Sequence, residues 1–261
     1  MSFLVDSHCH LDRLDLKNYD GSLDRALAHA AELGVGHMLC VSIDMGNFPD
    51  VLALAHQYPQ VSASVGVHPN ERGKHDPDTD ELVRLAADPQ VVAIGETGLD
   101  YFRSEGDLDW QRDRFRRHIA AAKQTGKPLI IHMRDATTDT LKIMAEEGAG
   151  EAGGVMHCFV EDWDTAKAAM DLNFYISFSG IVTFNSAKTL QEVAARMPID
   201  RMLVETDSPY LAPVPYRGKP NQPAYVRYVA ERIAGLRETS VEEIAEQTTS
   251  NYFRLFGRGE D

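Results

Sequence analysis

The chain has 261 residues, with 26 Lys+Arg and 40 Asp+Glu, so its formal net charge is −14 at pH 7. Hydrophobic residues make up 43% and charged residues 25%, which is typical of a globular protein and excludes collagen-like, low-complexity and wholly disordered chains. The acidity by itself argues against nucleic acid as a partner, because phosphate binding usually accompanies a basic surface.

Short β-rich runs alternate with longer segments of helical periodicity along the whole sequence. In chain order, each strand followed by its helix, the predicted elements are 3–5 and 23–33, 37–42 and 48–58, 61–67 and 78–87, 91–95 and 107–125, 129–132 and 137–147, 154–158 and 163–172, 174–178 and 187–196, then 202–205 followed by 223–234 and 241–256. Strict alternation implies parallel strands, because crossover helices connect them. We therefore predict an α/β protein with one domain, a (β/α)8 TIM barrel over residues 1–261, and keep an open doubly wound sheet as the alternative.

The ends and the cysteines indicate a cytoplasmic protein. The N-terminus lacks a basic segment followed by a long apolar one, and no stretch approaches roughly 18 uninterrupted apolar residues, so we expect neither a secretory signal nor a membrane helix. Cys9, Cys40 and Cys158 show no CxxC spacing and lie in or next to apolar runs. We interpret them as reduced, buried thiols, with a catalytic thiol as the alternative.

Polar, metal-ligating side chains follow the predicted strands. His8 and His10 should share one face, because side chains alternate along an extended segment. The other residues of this kind are His68, Glu96, His132, His157 and Asp207. Because the carboxyl ends of barrel strands meet on one face, where active sites form, we expect all of these side chains to converge there.

Such a cluster needs a compensating charge, because buried imidazoles and carboxylates that stay unpaired are costly. Four His and two carboxylates exceed the protein ligands that one ion takes, so we predict two divalent metal ions per chain. Glu96 would bridge them. Glu205, two residues before Asp207, would lie deeper and support a ligand. Imidazole-rich ligation favours Zn, Mn or Fe over Mg.

Other charged residues have plainer interpretations. His29, His56, His75 and His118 are interpreted as surface residues, and His37 as a structural residue at the amino end of its strand. The predicted helix over 107–125 carries a basic cluster that we interpret as a solvated face paired with Asp109 and Asp113; its members are Arg112, Arg114, Arg116 and Arg117.

These motifs together resemble the TatD family of metal-dependent hydrolases, within the amidohydrolase-like barrels. The matching stretches are DSHCHLD (6–12), GVHPN (66–70), AIGETGLDYF (93–102), PLIIHMRDA (128–136), GVMHCF (154–159), LVETDSPYLAP (203–213) and RGKPNQPAYV (217–226). The resemblance implies a barrel with a two-metal centre, substrate contacts at His68 and Arg134, and metal ligands at His8, His10, Glu96, His132, His157 and Asp207. It also implies a magnesium-supported deoxyribonuclease, in the better-studied members a 3′-to-5′ exonuclease. The family pattern often has Arg after Gly218-Lys219, whereas this chain has Pro220, which removes one phosphate contact.

We therefore predict a metal-dependent deoxyribonuclease that cleaves phosphodiester bonds with a metal-activated water, using Mg, Mn or Zn. Asp207 would accept the proton of the water, and Glu96 is the second catalytic residue. Arg134 would pair with a phosphate oxygen, unless it forms a surface ion pair with Asp135 or Asp139. The expected substrate is DNA, as single strands or ends, with no membrane and no obligate protein partner.

Two alternatives remain open. One is a metal-dependent hydrolase of another ester or amide bond, such as an aminoacyl-nucleic acid link. The other is a non-enzymatic, partner-binding barrel.

The acidity is unevenly distributed. The segment 208–230, directly after Asp207, contains no Asp or Glu; it carries Arg217, Lys219, Arg227, Tyr210, Tyr216, Tyr225 and Tyr228. Basic residues interleaved with aromatic ones suit a single-stranded backbone and its bases. The alternative is a Pro-rich loop that leads into a helix.

Overall fold

The computed structural model describes residues 3–257, so residues 1, 2 and 258–261 of the predicted domain lie outside it. The strands are β1 (Leu4–Cys9), β2 (Val35–Cys40), β3 (Val61–Val65), β4 (Val91–Asp100), β5 (Leu129–Arg134), β6 (Gly154–Met156), β7 (Phe174–Phe178) and β8 (Met202–Val204). The helices are α1 (Leu23–Glu32), α2 (Phe48–Gln57), α3 (Thr79–Leu85), α4 (Asp109–Thr125), α5 (Thr137–Glu146), α6 (Trp163–Asp171), α7 (Lys188–Arg196), α8 (Val226–Arg237) and α9 (Val241–Phe256). Over residues 3–257, no helix combines the length and apolarity needed to cross a bilayer.

The strands form one parallel sheet in sequential order from β1 to β8, which confirms the predicted (β/α)8 barrel. The seam between β8 and β1 is closed by a few contacts at its carboxyl end. Cys9 and Ser208 form a bridge, the His10 amide donates to the Ser208 carbonyl at 2.8 Å, and the Asp207 amide donates to the His8 carbonyl at 2.9 Å. The first and last motifs of the chain therefore meet directly.

Three strands extend further at their carboxyl ends than predicted. β1 extends to Cys9 instead of Val5, β4 to Asp100 instead of Gly95, and β5 to Arg134 instead of His132. β4 contains a bulge: Ile94 pairs with Leu129 and Thr97 with Ile131, so two residues of β4, Gly95 and Glu96, lie opposite the single residue Ile130. A Cβ at Gly98 would lie 2.0 Å from the His132 carbonyl oxygen, so only glycine permits this approach. Glu96 thus lies inside a paired strand.

Two apolar clusters fill the molecule. Along β5, Leu129 and Ile131 belong to the larger cluster, which also contains the helix residues, whereas Ile130 belongs to the smaller one. The alternation places the smaller cluster inside the barrel. Tyr252 and Phe256 of α9 join this inner cluster and fill its amino end. The opposite, carboxyl end is left for polar side chains.

Asp6 holds the seam from within. Its Oδ1 accepts hydrogen bonds from the Thr206 amide at 2.8 Å and the His8 amide at 3.3 Å, and its Oδ2 lies 2.6 Å from the Thr206 hydroxyl. Asp6 is fully buried. Burial raises the pKa of Asp6 to about 8, even though the hydrogen bonds from Thr206 oppose that rise. The Thr206 amide, the Thr206 hydroxyl and the His8 amide all donate to this carboxyl group, so Asp6 ties β1 to the residues that follow β8.

We expect Asp6→Ala to lower the free energy of unfolding by about 2–3 kcal/mol, because the buried amide of Thr206 loses its acceptor. Asp6→Asn should cost less, since the amide oxygen can still accept from the Thr206 and His8 amides. Urea denaturation of both variants measures the difference. Equal losses for Ala and Asn would contradict the role of Asp6 Oδ1 as the acceptor of these amides.

Candidate metal centre

The first group of converging ligand atoms lies at the seam. It contains His8 Nε2, His10 Nε2 and Asp207 Oδ1, which all lie within 4.8 Å of one another. Asp207 Oδ1 is 3.4 Å from His10 Nε2 and 3.8 Å from His8 Nε2. Glu96 Oε2 approaches this group, at 3.3 Å from His8 Nε2.

The second group lies on the other side of Glu96. It consists of the imidazoles that approach the other oxygen of Glu96. Glu96 Oε1 is 2.9 Å from His157 Nε2, 3.0 Å from His132 Nδ1 and 3.5 Å from His68 Nε2. The rings of His8 and His157 stack at 3.9 Å between the two groups. Glu96 therefore presents one oxygen to each group, which is the arrangement of a bridging carboxylate.

The donor atoms fit divalent cations. His8 Nε2 and His157 Nε2 are buried without a hydrogen-bond partner, although carboxylate oxygens lie close by. Burial disfavours the ionised form of Glu96, but the neighbouring imidazoles of His157 and His132 hold its pKa well below the usual range. The pKa of Asp207 is also lowered despite burial, through the hydrogen bond with His10. Ionised carboxylates and imidazole lone pairs facing one another are the chemistry of a metal site.

Hydrogen bonds on the far side of three imidazoles set which nitrogen faces the centre. His10 Nδ1 lies 3.0 Å from the Val41 carbonyl, His157 Nδ1 lies 3.2 Å from Glu205 Oε1, and His132 Nε2 lies 3.2 Å from Asp100 Oδ2. These oxygens only accept, so each far nitrogen donates its proton outward, and the near nitrogen is the one available to bind a metal ion. Glu205 thus occupies the supporting position expected from the sequence.

His68 has the opposite arrangement. Its Nδ1 accepts a hydrogen bond from the Asn70 amide at 3.1 Å, so in a neutral ring the proton lies on Nε2, which faces the pocket. Burial lowers the pKa of His68 to about 3, so the ring is neutral. Although His68 lies within reach of the second group, this tautomer favours a hydrogen-bond donor over a metal ligand.

Two residues of α4 hold the loop that carries His68, and their interpretation as surface residues is wrong. His118 is fully buried, and its Nε2 accepts from the Val67 amide at 3.1 Å. Arg114, only 4% exposed, donates to the carbonyls of His68 and Glu71 and to Asp76. Helical periodicity could have revealed this, because His118 lies three residues after the buried Phe115.

The other arginines of the basic cluster on α4 form ion pairs mainly with carboxylates of other elements. Arg112 pairs with Asp109 as expected, and also with Asp139, but no ion pair to Asp113 occurs among residues 3–257. Arg116 pairs with Glu146 and Glu147, and Arg117 with Asp76. His56 and His75 are exposed as expected, and His29 is half-buried. His37 is buried against Ser62 at the amino end of the barrel, as expected.

A pocket of about 760 Å³ opens above Glu96. Arg134 lines it and stacks on Phe102, with the guanidinium carbon 3.9 Å from the ring centroid. Within the part of the chain that the structure describes, Arg134 forms no ion pair, so the alternative pairing with Asp135 or Asp139 is not seen. Arg103, which the sequence interpretation missed, also lines the pocket. The signal was its place after the GLD motif, three residues beyond Asp100.

The acid-free segment 208–230 divides into two parts. Tyr210 and Leu211 line the pocket, so the segment borders the site as expected. Tyr216, Tyr225 and Tyr228 pack on one another, with Tyr216 and Tyr225 stacked at 4.1 Å. These three rings serve largely to hold the loop together.

Known proteins similar to this chain match it over nearly its whole length. A family model described as TatD related DNase matches residues 5–257. The chain is 50% identical to a protein named metal-dependent hydrolase YcfH from Escherichia coli strain K12, over 97% of this chain and 96% of that protein. It is 43% identical to metal-dependent hydrolase YabD of Bacillus subtilis, over 97% and 98% of the two chains. The crystal structure of YjjV, a TatD homologue from Escherichia coli K12, superposes with a TM-score of 0.88 at 28% identity, over 98% of each chain.

We expect metal to stabilise the protein against heat. At a free ion concentration 100 times the Kd, binding adds about 2.7 kcal/mol, which raises the Tm by roughly 5–10 °C for a chain of this size. Differential scanning fluorimetry of chelator-treated protein, with Zn²⁺ or Mn²⁺ added back, measures the shift. Glu96→Gln should lose most of it, whereas His75→Ala, which changes an exposed histidine, should keep it. An unchanged shift in Glu96→Gln would remove Glu96 from the metal centre.

Proposed function

This chain belongs to the TatD-related DNase family of metal-dependent hydrolases, and from that membership we propose that it is a deoxyribonuclease acting on single strands or frayed ends from the 3′ side. The observation that carries the proposal is that one pocket combines Glu96, shared between two ligand groups, with Arg103 and Arg134, which form no ion pair within residues 3–257. Such a pocket suits a phosphodiester, because the guanidinium groups and a metal centre both attract an anion.

The proposed ligands follow the two groups. His8, His10 and Asp207 would hold one ion, His132 and His157 the other, and Glu96 would bridge them. When bound, divalent ions lower the pKa of coordinated water and polarise the phosphoryl oxygen. The imidazole-rich donors favour Zn or Mn for tight binding, whereas the family resemblance associates activity with Mg.

The proposed roles of the chain's own residues follow from their positions. The Asp207 carboxylate lines the pocket and is ionised, so it can accept the proton of the attacking water. His68 would donate from Nε2 to a phosphoryl oxygen, because the Asn70 amide occupies its Nδ1. Arg134, with Arg103 beside it, would pair with the phosphate while its flat face rests on Phe102.

Two further expectations remain proposals. The three cysteines are unpaired, which supports a reducing compartment such as the cytoplasm.

Hydrolysis of another ester or amide bond is the competing activity, and a panel of phosphodiester, phosphotriester and carboxylic ester substrates separates it from deoxyribonuclease activity. Membership of a hydrolase family leaves no need for the non-enzymatic alternative.

We expect Asp207→Asn to abolish cleavage while the fold is kept, because the amide cannot accept a proton. The measurement uses end-labelled single- and double-stranded DNA with Mg²⁺, Mn²⁺ or Zn²⁺, with Glu96→Ala as an inactive comparison and circular dichroism as the folding control. Activity above a few per cent in Asp207→Asn would refute its role as the base. No phosphodiester cleavage by the wild type with any metal would refute the nuclease.

We expect two ions per chain, measured by elemental analysis after gel filtration. His10→Ala should retain one ion, because it affects only the first group. His68→Gln should retain both, because a proton on Nε2 prevents ligation, and Gln keeps an N–H donor near that position. Loss of an ion from His68→Gln would make His68 a ligand.

A further inference from the structure

The exposed apolar side chains of this protein gather at the mouth of the pocket. Among residues 3–257 the large exposed ones are Phe3, Phe102, Val160, Tyr210, Leu211 and Val214. Val160, Tyr210 and Leu211 line the pocket, and Phe102 lies against Arg134, which also lines it. Only Phe3 precedes β1 and therefore lies at the other end of the barrel. Apolar groups left in water beside a site usually mark a binding surface.

The two aromatic residues lie on opposite sides of the mouth. Phe102 follows β4, and Tyr210 follows β8. Because the eight strands are arranged in sequential order around the barrel, β4 and β8 are four strands apart, on opposite walls. Glu96 and the pocket lie between them. A phosphodiester bound above Glu96 has one nucleoside on each side, so each base would meet one ring.

The aromatic ring of Phe102 has one face covered by Arg134 and the other exposed to solvent. It is 60% exposed, and the guanidinium of Arg134 covers one face at 3.9 Å from the centroid. The turn that carries it is fixed, because the Arg103 amide donates to Asp100 Oδ1 at 2.9 Å. Arg134 can thus pair with a phosphate while Phe102 offers its other face to a base.

Tyr210 is also exposed and is firmly held. The residue is 50% exposed, while its amide donates to the Asp207 carbonyl at 2.9 Å. The buried Asn221 donates to the Tyr210 carbonyl at 2.6 Å and to the Thr206 carbonyl at 2.9 Å. The next residue, Leu211, has a left-handed backbone with φ of 56°, which is costly for a branched side chain. The loop is therefore held in a conformation that keeps these apolar side chains facing the solvent.

We propose that Phe102 and Tyr210 form a pair of stacking surfaces for the two nucleobases that flank the scissile phosphodiester. This inference rests on the proposed function and specifies its substrate. Stacking accepts any base, since every base has a π-face, so cleavage would depend little on sequence. It also requires bases that are not paired, so single strands and frayed ends would be preferred over blunt duplex.

The test compares two single-stranded oligonucleotides labelled at the 5′ end. One is an ordinary strand, and the other carries abasic residues at its two 3′-terminal positions. Loss of one stack should lower kcat/KM of Phe102→Ala and of Tyr210→Ala on the ordinary strand by roughly 5-fold to 100-fold. On the abasic strand the same variants should match the wild type within about twofold, because no base is left to stack.

Matched variants separate stacking from other effects. Phe102→Trp and Tyr210→Phe keep the rings and should keep the activity on the ordinary strand. Phe3→Ala removes an exposed ring at the opposite end and should change neither rate. Equal losses on ordinary and abasic strands would overturn the inference while the nuclease stands. A protein that cleaves esters but no DNA would overturn both, and the apolar mouth would then serve an apolar acyl or aryl group.

Discussion

Two carboxylates and four imidazoles share one buried region at the carboxyl end of this barrel, and the constraint that this imposes governs the structure around it. Glu96 presents an oxygen to each of two ligand groups, and the Nε2 atoms of His8 and His157 have no hydrogen-bond partner. Desolvating such groups is unfavourable unless an opposite charge compensates it. Bound divalent ions would supply that charge, and the stability and the chemistry of the site would then depend on the same interaction.

The surrounding structure fixes the direction in which the donors point. The Val41 carbonyl, Glu205 and Asp100 each hold the far nitrogen of one imidazole. Glu96 lies in the bulge of β4, between the paired residues Ile94 and Thr97. Left-handed backbone at Asp135, Cys158 and Asp207 follows three of the strands at this end. Backbone conformations of this kind persist where the neighbouring structure enforces them, and they cluster at functional sites.

The overall charge of −14 says little about the substrate. Some of the negative charge belongs to the carboxylates of the centre, which bound cations would neutralise. The mouth of the pocket carries Arg103 and Arg134 without carboxylate partners within residues 3–257, and the segment 208–230 contains no acid. The acidity is therefore compatible with a nucleic-acid substrate that binds through short-range contacts, since screening limits the reach of the surface charge.

The sequence by itself determined the barrel and the membership of its polar centre. Alternating β and α periodicity is a local property, and parallel strands that end in His, Glu or Asp must bring those residues to one face. Only the tertiary structure decided the roles of His118 and Arg114, because the sequence interpretation did not foresee that the loop from Val67 to Asp76 packs against α4. It alone decided that the proton of His68 lies on Nε2, since the Asn70 amide reaches Nδ1 only in the folded loop. The opposition of Phe102 and Tyr210 across the mouth likewise comes from barrel closure, which joins positions more than 100 residues apart in sequence.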